Sequence, residues 1–315
     1  MRCSRFTPSD GLRRFISCPF ACVALILTAA PLQAGEEAVK IQQDGDAYRV
    51  TINGEDFATY NVSDKYLKPF FSPVRSAGGV IVTRPLEDPE DHPHHKGVWL
   101  SIDEVNGIQY WAEKGTIKNV SVEVVKQGDP AVMKVVNHWM SLTGKPLLEE
   151  TSTISIHSNR LMSYDISLAP AGGDAVTFED TKEGMFGIRL ANSIRESAGD
   201  GHVVTAEGVK GSQTAWGKPS KWIDYYGPVD GKHHGAAIFD HPENFRPSRY
   251  HVRNYGLFTI NPFGEKAYTG GREAAKPYTI EPGESLRLRY GLYIHPGDTN
   301  QAKVAEVYGA WVKGS

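Results

Sequence analysis

The 315-residue chain is 40% hydrophobic, 10% aromatic and 23% charged, which excludes a disordered or collagen-like protein. A formal net charge of −3 leaves no basic surplus to displace counterions from a phosphate backbone, so nucleic acid is not an expected partner. All three cysteines (Cys3, Cys18 and Cys22) fall within the first 34 residues, so the rest of the chain has no thiol chemistry, zinc–thiolate site, iron–sulfur cluster or disulfide.

Taken in chain order, the first feature is a leader. Arg2, Arg5, Arg13 and Arg14 precede an apolar run from Pro19 to Ala30, and Leu32-Gln33-Ala34 closes on a small residue. This pattern predicts a secretory signal peptide over 1–34, too short for a membrane span. It leaves one domain over 35–315 that is periplasmic or extracellular, with 30 basic and 36 acidic residues and no membrane-spanning segment.

Beyond the leader the hydrophobic period is two. Tyr48, Val50 and Ile52 alternate with polar residues before a tight Asn53-Gly54 turn. Val120, Val122 and Val124 predict a second strand. Ile154 and Ile156 face Tyr164, Ile166 and Leu168 across a hairpin at Ser158-Asn159. Leu286, Leu288, Tyr290, Leu292 and Ile294 form the clearest strand, introduced by Pro282-Gly283. No helical stretch intervenes between strands, so the expected class is all-β, an antiparallel β-sandwich with helix below about 15%. One C-terminal helix is predicted from Val304, Val307, Tyr308 and Trp311, with Asp298 or Thr299 as its cap and a sheet edge as its seat. Gly, Pro and charges gather in loops at 84–94, 196–221 and 261–277, where a site would be built.

There is no phosphate-binding loop, dinucleotide fingerprint, GxSxG elbow or HExxH helix. The chemistry gathers instead in three clusters. Asp91-His92-Pro93-His94-His95-Lys96-Gly97, followed by Trp99, offers imidazoles for acid–base work or for a divalent metal at His92, His94 or His95. Glu179-Asp180-Thr181-Lys182-Glu183 leads into Met185 to Arg189, and Tyr250 to Gly256 leads to Asn261-Pro262-Phe263-Gly264. Of the six tryptophans, Trp139 and Trp311 read as core, while Trp216 and Trp222 flank charges on a loop-like stretch.

Strand alternation assigns faces to these clusters. With 96–103 as a strand, Val98, Leu100 and Ile102 turn inward, and His95, Gly97, Trp99, Ser101 and Asp103 share the other face. Phe186, Ile188 and Leu190 likewise leave Glu183, Met185, Gly187 and Arg189 opposite. Val252, Gly256, Phe258 and Ile260 leave His251, Arg253, Tyr255, Thr259 and Asn261. Three polar faces carrying imidazole, carboxylate and guanidinium predict one shared concave site. His95 and Glu183 are its expected acid–base pair, with His251 as the alternate. His94, Lys96, Trp99, Asp103, Trp111, Arg189, Arg253 and Asn261 are its expected binding residues, Trp99 being the stacking surface and His94 the lesser partner unless Pro93 shifts the register.

The run His94-His95-Lys96-Gly97-Val98-Trp99, the segment Asp103…Asn106-Gly107…Tyr110-Trp111, Lys182-Glu183-Gly184…Arg189 and Tyr255-Gly256-Leu257-Phe258…Asn261-Pro262-Phe263-Gly264 together resemble a bacterial family of unknown function labelled methane oxygenase PmoA. The resemblance runs from about Ala38 to the end. An oxygenase PmoA subunit lies within the membrane and nothing after residue 34 could span one, so the label is treated as a mislabel. The strand order with its late Pro-Gly turn also resembles the galactose-mutarotase-type supersandwich, which implies a concave sheet bearing a carbohydrate site. The resulting expectation is a secreted enzyme acting on a glycoside, free sugar or oligosaccharide by His/Glu acid–base catalysis without a cofactor. A non-catalytic carbohydrate-binding protein and a His-ligated metal-dependent enzyme are the alternatives.

Overall fold

The computed structural model describes residues 38–87 and 91–314; the leader expected over 1–34 lies outside them. In chain order the strands are β1 (Val39–Asp44), β2 (Ala47–Ile52), β3 (Glu55–Asn61), β4 (Phe70–Val74), β5 (Val98–Leu100), β6 (Ile117–Lys126), β7 (Ala131–Met140), β8 (Pro146–Ile156) and β9 (Leu161–Pro170). They continue as β10 (Val176–Phe178), β11 (Phe186–Arg189), β12 (His202–Thr205), β13 (Trp222–Val229), β14 (Lys232–Asp240), β15 (Arg249–Val252), β16 (Leu257–Asn261), β17 (Tyr278–Ile280) and β18 (Leu286–Pro296). Helices are short: α1 (Ser212–Ala215), α2 (Glu265–Thr269) and α3 (Val304–Gly314).

Two eight-stranded antiparallel sheets carry the fold, ordered β1-β2-β3-β4-β5-β11-β16-β15 and β12-β13-β14-β18-β9-β8-β7-β6. The residues they enclose form one continuous core. Tyr164 packs on Phe186 with 4.6 Å between ring centroids and Phe186 stacks on Tyr290 at 5.7 Å, both within the roughly 4.5–7 Å of favourable aromatic pairs. The Tyr250 hydroxyl donates across the gap to the Ile238 carbonyl at 3.0 Å. This is the expected antiparallel β-sandwich, with strand at 46% and helix at 9%. No helix among the described residues is long and apolar enough to cross a membrane.

The hairpins at 53–54 and 157–160 stand where the alternation puts them, Asn53 and Gly54 both adopting positive φ as a type I′ turn demands. Four expectations need correction. Val120 is 54% exposed although Val122 and Val124 pack inward, because the ladder slips between Asn119 and Ser121 and turns Val120 outward. Helix α3 covers the face of central strands rather than an edge: Val304 and Trp311 pack with Phe239 of β14, Tyr293 of β18 and Leu161 of β9. Trp222 belongs to that cluster and lies within β13, not on a loop. The segment 250–260 is a hairpin of β15 and β16 rather than one strand, and it turns at Gly256, whose φ is 87°.

The face assignments position the site. Across the first sheet the register sets Phe70 opposite Trp99, Trp99 opposite Gly187, Gly187 opposite Thr259 and Thr259 opposite His251, one row on the side away from the core. Val98, Ile188, Phe258 and Val252 occupy the parallel row facing inward. Gly187 is the gap in the outer row. A Cβ there would fall 2.2 Å from Thr259 Cγ2 and 2.4 Å from the Phe258 carbonyl oxygen. The outer row is not washed by solvent: Phe70, Trp99, Trp111 and Leu257 form a second apolar layer over it.

Candidate active site

Backbone pairing runs past the short strand β5 and carries the chain toward the site. The Ser101 amide donates to the Met185 carbonyl at 2.8 Å and the Asp103 amide to the Glu183 carbonyl at 3.0 Å. Asp103 and Glu183, 80 residues apart in sequence, thus end on neighbouring extended segments at the lip of the sheet. A cavity of about 360 Å³ opens there. His92, His94 and His95 line one side, Asp103, Trp111 and Glu183 another, and His251, Arg253 and Tyr255 close it. The three residues expected to do acid–base work therefore share one pocket, together with four of the expected binding residues, His94, Asp103, Trp111 and Arg253.

The histidine segment owes its place to two buried arginines. Arg84 donates to the Asp91 carboxylate at 2.6 Å and to the backbone carbonyls of Asp91, His92 and His95. Arg189 reaches the same carboxylate at 2.8 Å. Burial pushes the Asp91 carboxyl up, but the two guanidiniums outweigh it and hold the group below its usual range. The segment is a turn, not a strand: His92 has φ 40° and Gly97 φ 54°. A Cβ at Gly97 would sit 1.9 Å from the Phe71 carbonyl oxygen, so only glycine lets the turn pass this close. Because alternation does not govern a turn, it does not separate His94 from His95, and both line the cavity.

Four rings stack in one column above the sheet. His95 lies on Trp99 (5.5 Å, 16°), His92 on His95 (4.7 Å, 2°) and Tyr255 on His92 (5.3 Å, 5°). Trp99 is the buried foot of this column, 2% exposed, so it carries His95 rather than a ligand. Parallel stacking also turns the in-plane nitrogens of His92 and His95 side by side instead of toward a common point, which does not suit a metal shared between them.

Arg189 sets the tautomer of His95. A guanidinium only donates, so the Arg189 Nη1 contact at 3.2 Å makes Nδ1 of His95 the acceptor and leaves the proton on Nε2. That Nε2 is buried and has no partner among the described residues. Burial, followed by the neighbouring His94, His92, Arg189 and Lys68, drives the imidazole far below its ordinary pKa and keeps it neutral. In this tautomer the Nδ1 lone pair of His95 is taken by Arg189 and the proton sits on Nε2. Arg189 itself, 1% exposed, braces Asp91, His95 and the Tyr255 ring (4.9 Å) and does not line the cavity as a binding residue would.

His251 has the opposite polarity. It lies on β15 beside the loop 181–184, and its Nδ1 donates to the Lys182 carbonyl at 2.9 Å. The remaining nitrogen, Nε2, then carries a lone pair. Burial lowers its pKa to about 4 against the opposing pull of Glu183, whose carboxylate is 3.8 Å from Nδ1. Asp103 is moved the other way. Burial, against amide donors from Ala112 and Trp111, pushes its carboxyl up to about 6, and the charges of Glu183 and Glu104 add to the rise. His94 falls to about 4, through burial and then Lys68.

Two expected binding residues serve the scaffold. Asn261 is fully buried, donating to the Thr181 carbonyl and accepting the Phe263 amide, both at 2.8 Å. Lys96 is turned to Glu113 (2.6 Å) and does not line the cavity. Glu113 also binds Lys68 at 2.9 Å; burial lowers that lysine to about 8, and the two lysines outweigh burial to hold Glu113 low. Lys68, Arg84 and Glu113 were not among the residues singled out, and Asp91 and Tyr255 were noted without a role. Lys68 carried a readable cue, a lone cation inside Tyr66-Leu67-Lys68-Pro69-Phe70-Phe71.

Beside this pocket lies a larger cavity of about 570 Å³, lined by Glu196, Ser212, Gln213, Trp216 and Asn254. Arg253 lines both. Trp216 is half-buried and meets the His251 ring edge-on at 6.2 Å.

A model of a family of unknown function, DUF6807, matches residues 47–309. No curated protein matches the sequence. Among solved structures, the chain is similar to a candidate aldose 1-epimerase from Klebsiella pneumoniae (12% identity, TM-score 0.45, covering 88% of this chain and 87% of that one). It is similar to a galactose 1-epimerase from Lactobacillus acidophilus (8%, 0.41, 84% and 100%). It is also similar to a GH36 α-galactosidase from Geobacillus stearothermophilus (10%, 0.42), covering 83% of this chain but only 41% of that enzyme. At these values the likenesses assign neither activity nor substrate.

Proposed function

The chain belongs to that family of unknown function, DUF6807, and we propose from its own geometry that it is a carbohydrate-active enzyme moving protons at a sugar ring. The observation that carries the reading is the gathering in one cavity of His251, which keeps the lone pair of its Nε2, with the carboxyl groups of Glu183 and Asp103. An acceptor and a proton donor lining one small cavity suit a reaction in which one oxygen loses a proton while another gains one. Glu183 stands beside His251 as a second acceptor, and Asp103, raised to about 6, can give up a proton near neutral pH.

Anomeric interconversion of a free sugar fits this set. The base side takes the proton of the anomeric hydroxyl as the bond from C1 to the ring oxygen breaks, and Asp103 delivers a proton to that oxygen. Rotation about the C1–C2 bond and reversal of both transfers close the other anomer and restore both groups. The rings of Tyr255 and Trp216, with Arg253 between them, suit the apolar face and the hydroxyls of a saccharide, and the adjoining cavity leaves room for more than one residue.

The test is a panel of free sugars and oligosaccharides followed by NMR anomeric exchange and by product analysis. Glu183→Gln and His251→Gln are each expected to lower turnover by about 10²–10⁴. Saturable binding without turnover on any member would instead establish a carbohydrate-binding protein, and absence of both would overturn the reading.

A further inference from the structure

We propose that Asp200, His202 and His233 form a surface site for a divalent transition metal, zinc being the ion their donors suit, on the sheet that does not bear the cavity described above. His202 opens β12, Asp200 lies in the turn just before it, and His233 follows the tip of the β13–β14 hairpin. Register places the histidines on one face. His202 pairs with Tyr226 and His233 with Pro228, two residues apart on β13, so all four side chains point the same way. Tyr226 packs on both imidazoles, at 5.0 and 5.4 Å, and so holds them apart and upright.

The two rings direct Nε2 at opposite oxygens of one carboxylate, His202 to Oδ1 at 3.3 Å and His233 to Oδ2 at 3.6 Å. All the ligating atoms lie within 4.8 Å of one another, and among the described residues this is the one such group of three. Tetrahedral zinc with bonds of about 2.0–2.1 Å spaces its ligands at roughly 3.3–3.4 Å, close to these two separations, the first of which is also a long hydrogen bond in the metal-free site. Two imidazoles and a carboxylate favour zinc or its neighbours over calcium or magnesium, which prefer all-oxygen shells. Three protein ligands leave a fourth position for water or for a donor from a ligand. The ion would tie the turn before β12, an edge strand, to the neighbouring hairpin.

Zinc chloride titrated into the full, untagged chain is expected to bind at one equivalent with micromolar or tighter affinity. Cobalt(II) in its place is expected to show the strong visible bands of four-coordinate geometry. His202→Ala and His233→Ala should each weaken binding at least 100-fold while far-UV circular dichroism stays unchanged, because both side chains are partly exposed. Failure to bind zinc at micromolar concentration overturns the proposal. So does binding that survives His202→Ala but is lost in His92→Ala, which would move the metal to the histidine turn.

Discussion

His251 links burial at the site to a measurable pH dependence. Its folded-state pKa is about 4, against an ordinary 6.5, with burial as the main cause. The sign follows from proton counting: below pH 6.5 the unfolded chain binds a proton that the folded chain refuses, so stability is lost as pH falls from 6.5 through 4. Near pH 7.5 the term almost vanishes, and at about pH 4.5 it reaches roughly 2.5 kcal/mol. His251→Gln removes the titration but keeps an amide able to donate to the Lys182 carbonyl, the contact that Nδ1 makes. Urea unfolding of both proteins at the two pH values isolates the effect. His94 and Asp103 titrate in both proteins and cancel in the difference, Asp103 with the opposite sign because burial raises it. The wild type is expected to lose about 2.5 kcal/mol more than His251→Gln between the two pH values. Equal losses within about 0.5 kcal/mol would mean that His251 is open to water, and the neutral-acceptor role would fall with it.

Gly187→Ala is expected to destabilise the protein by about 2–3 kcal/mol in denaturant unfolding, since its Cβ meets Thr259 and the Phe258 carbonyl inside 2.5 Å. Asn261→Ala leaves the half-buried Thr181 carbonyl and the buried Phe263 amide without this partner, and a loss of about 1–3 kcal/mol is expected with no separate change in sugar affinity. Arg189→Met should cost about 2–3 kcal/mol, less than a fully buried pair because Asp91 is partly exposed. Nitrogen-15 NMR of the imidazoles should then show His95 leaving the Nε2–H tautomer; an unchanged tautomer would refute the role given to Arg189.

Much of the site was legible because strand periodicity is local. Which of Trp99, Gly187, Thr259 and His251 share a face depends only on alternation within each short segment, and the observed register puts them in one row. The same reasoning failed wherever the chain was not extended. The histidine turn at 92–97 and the bend at 253–256 have positive-φ residues that interrupt alternation, so placing His95 above His94 by alternation had no basis in the folded chain. Lys96 and Asn261 have the chemistry of ligand-binding groups but are consumed by Glu113, Thr181 and Phe263, partners that no local pattern identifies.

What the sequence by itself determined is therefore the all-β class, the faces of the strands and the residue types available for proton transfer, because hydrophobic period and composition are properties of neighbours along the chain. The roles of those residues were decided by tertiary structure alone. Whether an imidazole gives or takes a hydrogen bond depends on what lies against its other nitrogen: a guanidinium from β11 at His95, a carbonyl from the 181–184 loop at His251. Those partners are 94 and 69 residues away in sequence, and only the packing of sheet and loops brings them within reach.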